Sequence, residues 1–389
     1  MMAIEGQCEL TAQCLCEAHA VSAPIPISSL PLQASCCHCT SCRHMTGAMY
    51  SASTAWPGTL ASVRALGLRE YQFSPAVTIF FCGSCGSPMF CYERRSANGA
   101  GQVGEEETLE VFTGVLSVGG RADAVRVRDH IFVGDTLDGG AAIWMRHLPG
   151  QTTPLPCYRS WRQTSGLVDP VAMAEPSRDG IRNQTRENVP FHCHCRAIDL
   201  VLCRKATDNL ARRQPAGHSA RSGHSSPYKL TAWFDASRSS QTCAGVDVMS
   251  RVSVKLRSIG FASFPGTRFP SNIEDLRLAT SDPRRPSQLR NLAHYKTRDG
   301  GYQHFCSNCA ASVFYADGSF PGTVNVAVGL LHAVDGVRAA GVVDWAPGAS
   351  RWGDFVHAGW RGELVGATRR NVEEWRRQED GRSAIPRAD

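Results

Sequence analysis

The sequence predicts a mainly β protein, two tandem units each built on short twisted antiparallel sheets. Three observations predict it. At 389 residues the chain exceeds what one core usually serves, and its 36 Gly and 21 Pro favour short strands and turns over long helices. Close cysteine pairs recur in one order: Cys14-Leu15-Cys16 and Cys82-Gly83-Ser84-Cys85 early, Cys193-His194-Cys195 and Cys306-Ser307-Asn308-Cys309 late. The flanks recur too. "FFCGSCGSPMFCYE" (80–93) matches "HFCSNCAASVFYAD" (304–317), and "TLEVFTGVL" (108–116) matches "TVNVAVGLL" (323–331), Gly114 facing Gly329. The Val-rich, partly alternating downstream segments read as strands, and two copies of one β unit is the economical explanation.

Taken in order, residues 8–150 form the first unit with a complete cysteine set. Residues 151–188 form a linker, most polar over 166–188. Residues 189–366 form a second, degenerate unit carrying an Arg/Ser/Gly-rich, solvated insertion at about 204–226. Residues 367–389 form a charged tail in which "RRNVEEWRRQEDGR" reads as a short helix.

Seventeen cysteines, eight of them in close pairs, in a chain expected to live in a reducing interior, point to metal rather than disulfides. C-x-C and C-x-x-C each present two sulfurs from one tight turn, and zinc takes four at tetrahedral corners. Cys14, Cys16, Cys82 and Cys85 therefore make one closed structural zinc site, and Cys193, Cys195, Cys306 and Cys309 its equivalent. Cys37, Cys39 and Cys42 form a set of three, which leaves a fourth zinc position open, as catalytic sites do. A thiol entering there would be held as thiolate, a nucleophile suited to aldehydes. Two alternatives stay open: Cys36, His38 or His44 closes the site, or the register is Cys36, Cys39, Cys42. In the second unit "DASRSSQTCAG" (235–245) lies against "CHCTSCRHMTG" (37–47), with Asp235, Ser237 and Ser240 replacing the three cysteines.

Cys8, Cys36, Cys91, Cys157, Cys203 and Cys243 lack a partner motif and read as buried or incidental. "GAGQVG" (99–104) fits a dinucleotide fingerprint in form, but it runs into three glutamates and is rejected. Asp135 and Asp138 are turn-like and read as solvated loop residues, so no general acid or base is named. The formal charge of +6, with Arg scattered among acids, speaks against a nucleic-acid partner. "MMAIEGQCEL" lacks the form of a secretory signal, and no apolar run reaches the length of a membrane span, so a cytoplasmic protein is expected.

The ordered set "CLC" at 14, "CHCTSCRHMTG" at 37 and "FCGSCGSPMF" at 81 resembles the glutathione-dependent formaldehyde-activating enzyme family, to which centromere protein V is related. "DHIFVGDTLDGG" (129–140) is similar to a closing segment of such domains. The resemblance covers most of residues 10–150. The second half resembles the family more loosely, and the whole resembles fungal tandem members. The resemblance implies a β-tent fold with a structural zinc, and a second zinc on Cys37, Cys39 and Cys42. It implies partners that are a small-molecule thiol such as glutathione and an aldehyde, joined as S-hydroxymethylglutathione in carbon–sulfur lyase chemistry. Glu17 and Arg196 stand where the family usually has glycine after C-x-C. The rival readings are a non-catalytic zinc module that binds protein or chromatin, and a thiol redox sensor.

Overall fold

The computed structural model describes residues 6–96, 105–119, 121, 123–148, 151–174, 188–203, 229–353 and 359–384. The expected insertion at 204–226, the rejected glycine motif at 99–104 and most of the linker beyond 174 lie outside the described residues.

The first half holds strands β1 (Gln7–Gln13), β2 (Ala20–Pro26), β3 (Leu32–Cys37), β4 (Ser51–Ala55), β5 (Arg69–Ser74), β6 (Val77–Phe81), β7 (Pro88–Ser96), β8 (Glu105–Phe112), β9 (Leu116–Ser117) and β10 (Val125–Ile131). The second half holds β11 (Val189–His192), β12 (Asp199–Leu202), β13 (Leu230–Asp235), β14 (Met249–Lys255), β15 (Ile259–Phe261), β16 (Leu292–Lys296), β17 (Tyr302–Cys306), β18 (Ser312–Ala316), β19 (Thr323–Ala327) and β20 (Val343–Trp345). Helices are few: α1 (Thr40–Thr46), α2 (Leu60–Arg64), α3 (Arg238–Ala244), α4 (Ile273–Ser281) and α5 (Trp360–Ala384).

Each half carries one seven-stranded sheet. The order β10-β3-β4-β8-β7-β6-β5 in the first is matched strand for strand by β20-β13-β14-β19-β18-β17-β16 in the second. Even the exception is shared, since β10–β3 and β20–β13 are parallel where their neighbours are antiparallel. Each half also has a three-stranded sheet, β2-β1-β9 and β11-β12-β15. In β10 the alternation Val125, Val127 inward against Arg126, Arg128 outward shows the period-two pattern of a half-buried strand. Buried β18 instead reads as an unbroken run of buried side chains, and β19 as an apolar run broken by Asn325.

The halves meet reciprocally. α1 ends at Gly47, whose carbonyl accepts the N–H of Gly329 at 3.0 Å, and α3 ends at Gly245, whose carbonyl accepts the N–H of Gly114 at 3.1 Å. A Cβ on Gly329 would lie 1.9 Å from the Ala48 carbonyl oxygen, and one on Gly114 would lie 2.3 Å from that of Gln241. Backbone approach this close needs glycine. One apolar cluster accordingly runs through both halves, from Leu10 and Phe90 to Phe314 and Val365.

The helix expected in the charged tail starts earlier and is longer, spanning Trp360–Ala384. Its first turns bury Trp360, Leu364, Val365 and Ala367, so packing rather than charge sets where it begins. Arg361 donates to Asp247 at 2.9 Å and to the Leu116 carbonyl at 2.8 Å, tying the helix to both halves. Asn371 donates to the carbonyls of Trp144 and His147. Part of the 151–188 stretch lies beside the first sheet, with Tyr158 N–H bonded to the His130 carbonyl at 2.8 Å. Among the described residues no helix is long and apolar enough to cross a membrane.

Candidate metal centres and the three-cysteine site

Both four-cysteine sets converge. The sulfurs of Cys14, Cys16, Cys82 and Cys85 lie within 4.8 Å of one another, and so do those of Cys193, Cys195, Cys306 and Cys309. Neighbouring sulfurs stand at 3.5 Å (Cys14–Cys16), 3.6 Å (Cys16–Cys82), 3.5 Å (Cys193–Cys195) and 3.6 Å (Cys195–Cys306). A disulfide needs about 2.05 Å. A tetrahedron of thiolates at about 2.3 Å from zinc has edges of about 3.8 Å, so the donor sets fit such an ion. The turns that hold them are copies. Gly86 donates to the Cys82 carbonyl and Ala310 to that of Cys306, both at 2.9 Å, with φ +77° and +67°. His19 and Ile198 each direct a backbone N–H onto the first sulfur of the C-x-C at 3.3 Å.

The residues that replace glycine after C-x-C adopt the glycine conformation: Glu17 has φ +63° and Arg196 φ +57°. That is the left-handed region, which costs roughly 1–2 kcal/mol for a residue with a Cβ. Thiol to thiol, protons are shared unevenly. Hydrogen bonding to Cys82 and Cys85 pushes the Cys14 thiol far up, and bonds from Cys14 and Cys82 pull Cys85 far down. A dication would hold all four as thiolates.

Cys37, Cys39 and Cys42 also bring their sulfurs within 4.8 Å of one another, and no fourth His, Cys, Asp or Glu joins them among the described residues. Cys37 ends β3 and Cys42 sits in the first turn of α1. Cys39 is the helix cap, its sulfur accepting the Cys42 N–H at 3.3 Å. The alternatives that the sequence left open have other partners. Cys36 is fully buried and, one residue along a strand from Cys37, faces the opposite side of the sheet. His38 Nε2 pairs with His130 Nδ1 at 2.9 Å, and His44 Nδ1 pairs with His192 Nδ1 at 3.0 Å.

Hydrogen bonds from Cys37 and Cys42 bring Cys39 down to about 3, while the bond to Cys39 and burial push Cys37 well up. Arg43 adds a buried positive charge beside the sulfurs, its guanidinium fixed by the His38 carbonyl (3.3 Å) and Thr40 Oγ1 (3.1 Å). Ser51, facing Cys37 across the β3–β4 pair, bonds the Cys42 sulfur.

The two acids read as solvated part company. Asp135 is exposed and receives the Thr40 N–H at 3.4 Å, at the mouth of the three-cysteine turn. Asp138 corrects the expectation: it is buried, accepting the Arg338 N–H at 2.7 Å and facing the Arg338 guanidinium at 3.5 Å across the seam. Its partner lies 200 residues away, beyond any local pattern.

The second half reaches into this corner. His194 donates its N–H to the His44 carbonyl at 2.9 Å, accepts or donates at Nδ1 with Tyr71 Oη at 2.6 Å, and stacks on Phe73 at 4.4 Å. Burial holds the His194 imidazole below its ordinary pKa, with Cys195 and then Cys39 acting the other way. At the other seam the matching elements leave a cleft of about 270 Å³ between Cys14, Glu17, Ser237, Arg238 and Tyr295.

Sequence comparison bears on the same stretch. Residues 9–133 match the model of the glutathione-dependent formaldehyde-activating enzyme family. The match covers about a third of the chain and includes Cys14, Cys16, Cys37, Cys39, Cys42, Cys82 and Cys85. No curated protein matches the chain, and no solved structure does.

Proposed function

We propose that the chain is a zinc-dependent carbon–sulfur lyase of the formaldehyde-activating type, cytoplasmic, acting on a thiol–aldehyde adduct such as S-hydroxymethylglutathione. The supporting observation is the three-sulfur cluster with no fourth protein ligand, inside the segment that matches the family. In this reading residues 8–150 and 189–366 are two copies of one domain, joined by 151–188 and followed by a tail from 367. Cys14, Cys16, Cys82, Cys85 and Cys193, Cys195, Cys306, Cys309 hold structural zinc, and Cys37, Cys39 and Cys42 hold the working ion.

A zinc ion there would supply a Lewis acid with one position for an incoming thiol. The chain's own groups do the rest. Arg43 balances the accumulated negative charge from behind the sulfurs. Ser51 and the Cys42 N–H fix two of the sulfurs in place. His194, held by Tyr71 and Phe73, walls the corner from the second half and orients the adduct. In the cleavage direction the carbon–sulfur bond breaks with its electron pair going to sulfur. The hydroxyl proton passes to solvent as the carbonyl of formaldehyde forms, and the sulfur leaves as the thiolate.

Zinc content and exchange test this reading together. Intact protein should hold three zinc per chain and accelerate formaldehyde exchange with glutathione, followed by NMR. A Cys39→Ser, Cys42→Ser variant should hold two, keep its fold and lose the acceleration. Two zinc in both proteins would overturn the assignment.

A further inference from the structure

The second half keeps the backbone of the three-cysteine corner without its sulfurs. Asp235 ends β13 as Cys37 ends β3. Ser237 caps α3, accepting the Ser240 N–H on Oγ, as Cys39 caps α1. Both helices are seven residues long and stop at a left-handed glycine, Gly47 at φ +77° and Gly245 at φ +72°. Strand register extends the match, because Cys37 lies opposite Ser51 and Asp235 opposite Met249. Two residues further on, Ser53 in β4 corresponds to Arg251 in β14.

Arg251 is wholly buried. Its Nε lies 3.3 Å from Asp235 Oδ2, and its Nη2 donates to Ser240 Oγ at 2.9 Å and to Gln303 Oε1 at 3.3 Å. Ser240 Oγ in turn donates to Asp235 Oδ2 at 2.7 Å. The Tyr315 ring covers the guanidinium at 5.4 Å. The first and third positions of the triplet thus converge on one guanidinium, where those of the first half converge on each other.

We propose that this corner is a metal site held shut by its own side chain: the Arg251 guanidinium takes the place, between positions 235 and 240, that an ion takes between Cys37 and Cys42. This rests on Cys37, Cys39 and Cys42 being metal ligands. Charge supports it. One carboxylate against one guanidinium is neutral without an ion, whereas three thiolates need a dication. Chemistry supports it as well, since one carboxylate and two hydroxyls form a poor donor set for zinc. The second half consequently has no open coordination position and takes no thiol there.

Metal content decides, independently of any activity. Asp235→Cys, Ser237→Cys, Ser240→Cys together should leave zinc per chain at the parent value, because Arg251 still fills the corner. Adding Arg251→Ser, the residue at the equivalent first-half position, should raise it by one. A gain already in the triple variant, or no gain in a folded quadruple variant, would overturn the proposal. Should the quadruple variant fail to fold, thermal melts of Arg251→Met, Asp235→Asn and their combination give the answer. The double variant should melt above either single one; strictly additive losses would show that the two groups do not answer each other. Failure of the catalytic reading would appear instead as inactive parent protein with these differences in zinc intact.

Discussion

The corner around Cys37–Cys42 and the corner around Asp235–Ser240 share a strand end, a capped seven-residue helix and a glycine stop, yet they treat charge in opposite ways. In the first, three sulfurs crowd together with the Arg43 guanidinium beside them and, among the described residues, no acid in the cluster. In the second, Asp235 and Arg251 neutralise each other inside the fold, with neither exposed at all. The lesson is that one backbone corner can carry two different arrangements of charge, provided that each buried charge has a partner.

The largest effect should come from breaking the second corner's balance. Arg251→Met leaves Asp235 buried and unpaired, and denaturant unfolding should show a loss of about 3–5 kcal/mol. Next come the glycines of the seam. Gly329→Ala and Gly114→Ala each drive a Cβ into backbone of the other half, at 1.9 Å and 2.3 Å, and should each cost about 1–3 kcal/mol. Losses of similar size would show that the two sides of the seam are equivalent; a tolerated substitution would show that one side gives way. Among the described residues Arg43 forms no ion pair with an acid, so Arg43→Met removes hydrogen bonds and unfolding should register only about 1–2 kcal/mol. Its stronger readout is chemical: slower formaldehyde exchange with zinc content unchanged, the opposite signature to Arg251→Met. The smallest effect is a gain. Arg196→Gly should stabilise by about 1 kcal/mol on relief of its positive φ. Glu17→Gly should gain less, because Glu17 also meets Arg298 at 2.6 Å in an exposed pair worth about 0–1 kcal/mol.

Much of the architecture was legible because cysteine spacing and flanking strands repeat. The pairing of Cys14 with Cys82 across the sequence followed from recurrence together with zinc's need for four sulfurs, and the register placing Gly47 against Gly245 is the one that the structure has. What stayed hidden lies far apart in sequence or runs against type. Arg251 stands where the first half has Ser53, so comparing the halves by similarity passes over it. His194 meets Tyr71 over 123 residues and Asp138 meets Arg338 over 200, distances at which no periodicity reports. Asp138 looked like a turn residue because Gly139 and Gly140 follow it. The same turn buries it, with the Gly140 N–H bonded back to its own carboxylate at 2.9 Å. The tail was read from its charges, while many of its docking residues, Trp360, Leu364, Val365 and Ala367, precede the charged run.

The reciprocal glycine seam has a genetic consequence. Two identical chains meeting through such a surface would form a two-fold dimer, each donating the same residues that it receives. One gene would then write both corners, and any substitution that closed one would close the other. Carrying both surfaces on a single chain removes that tie. A cysteine can be kept at position 39 while serine occupies 237, and one half is free to serve as framework for the other.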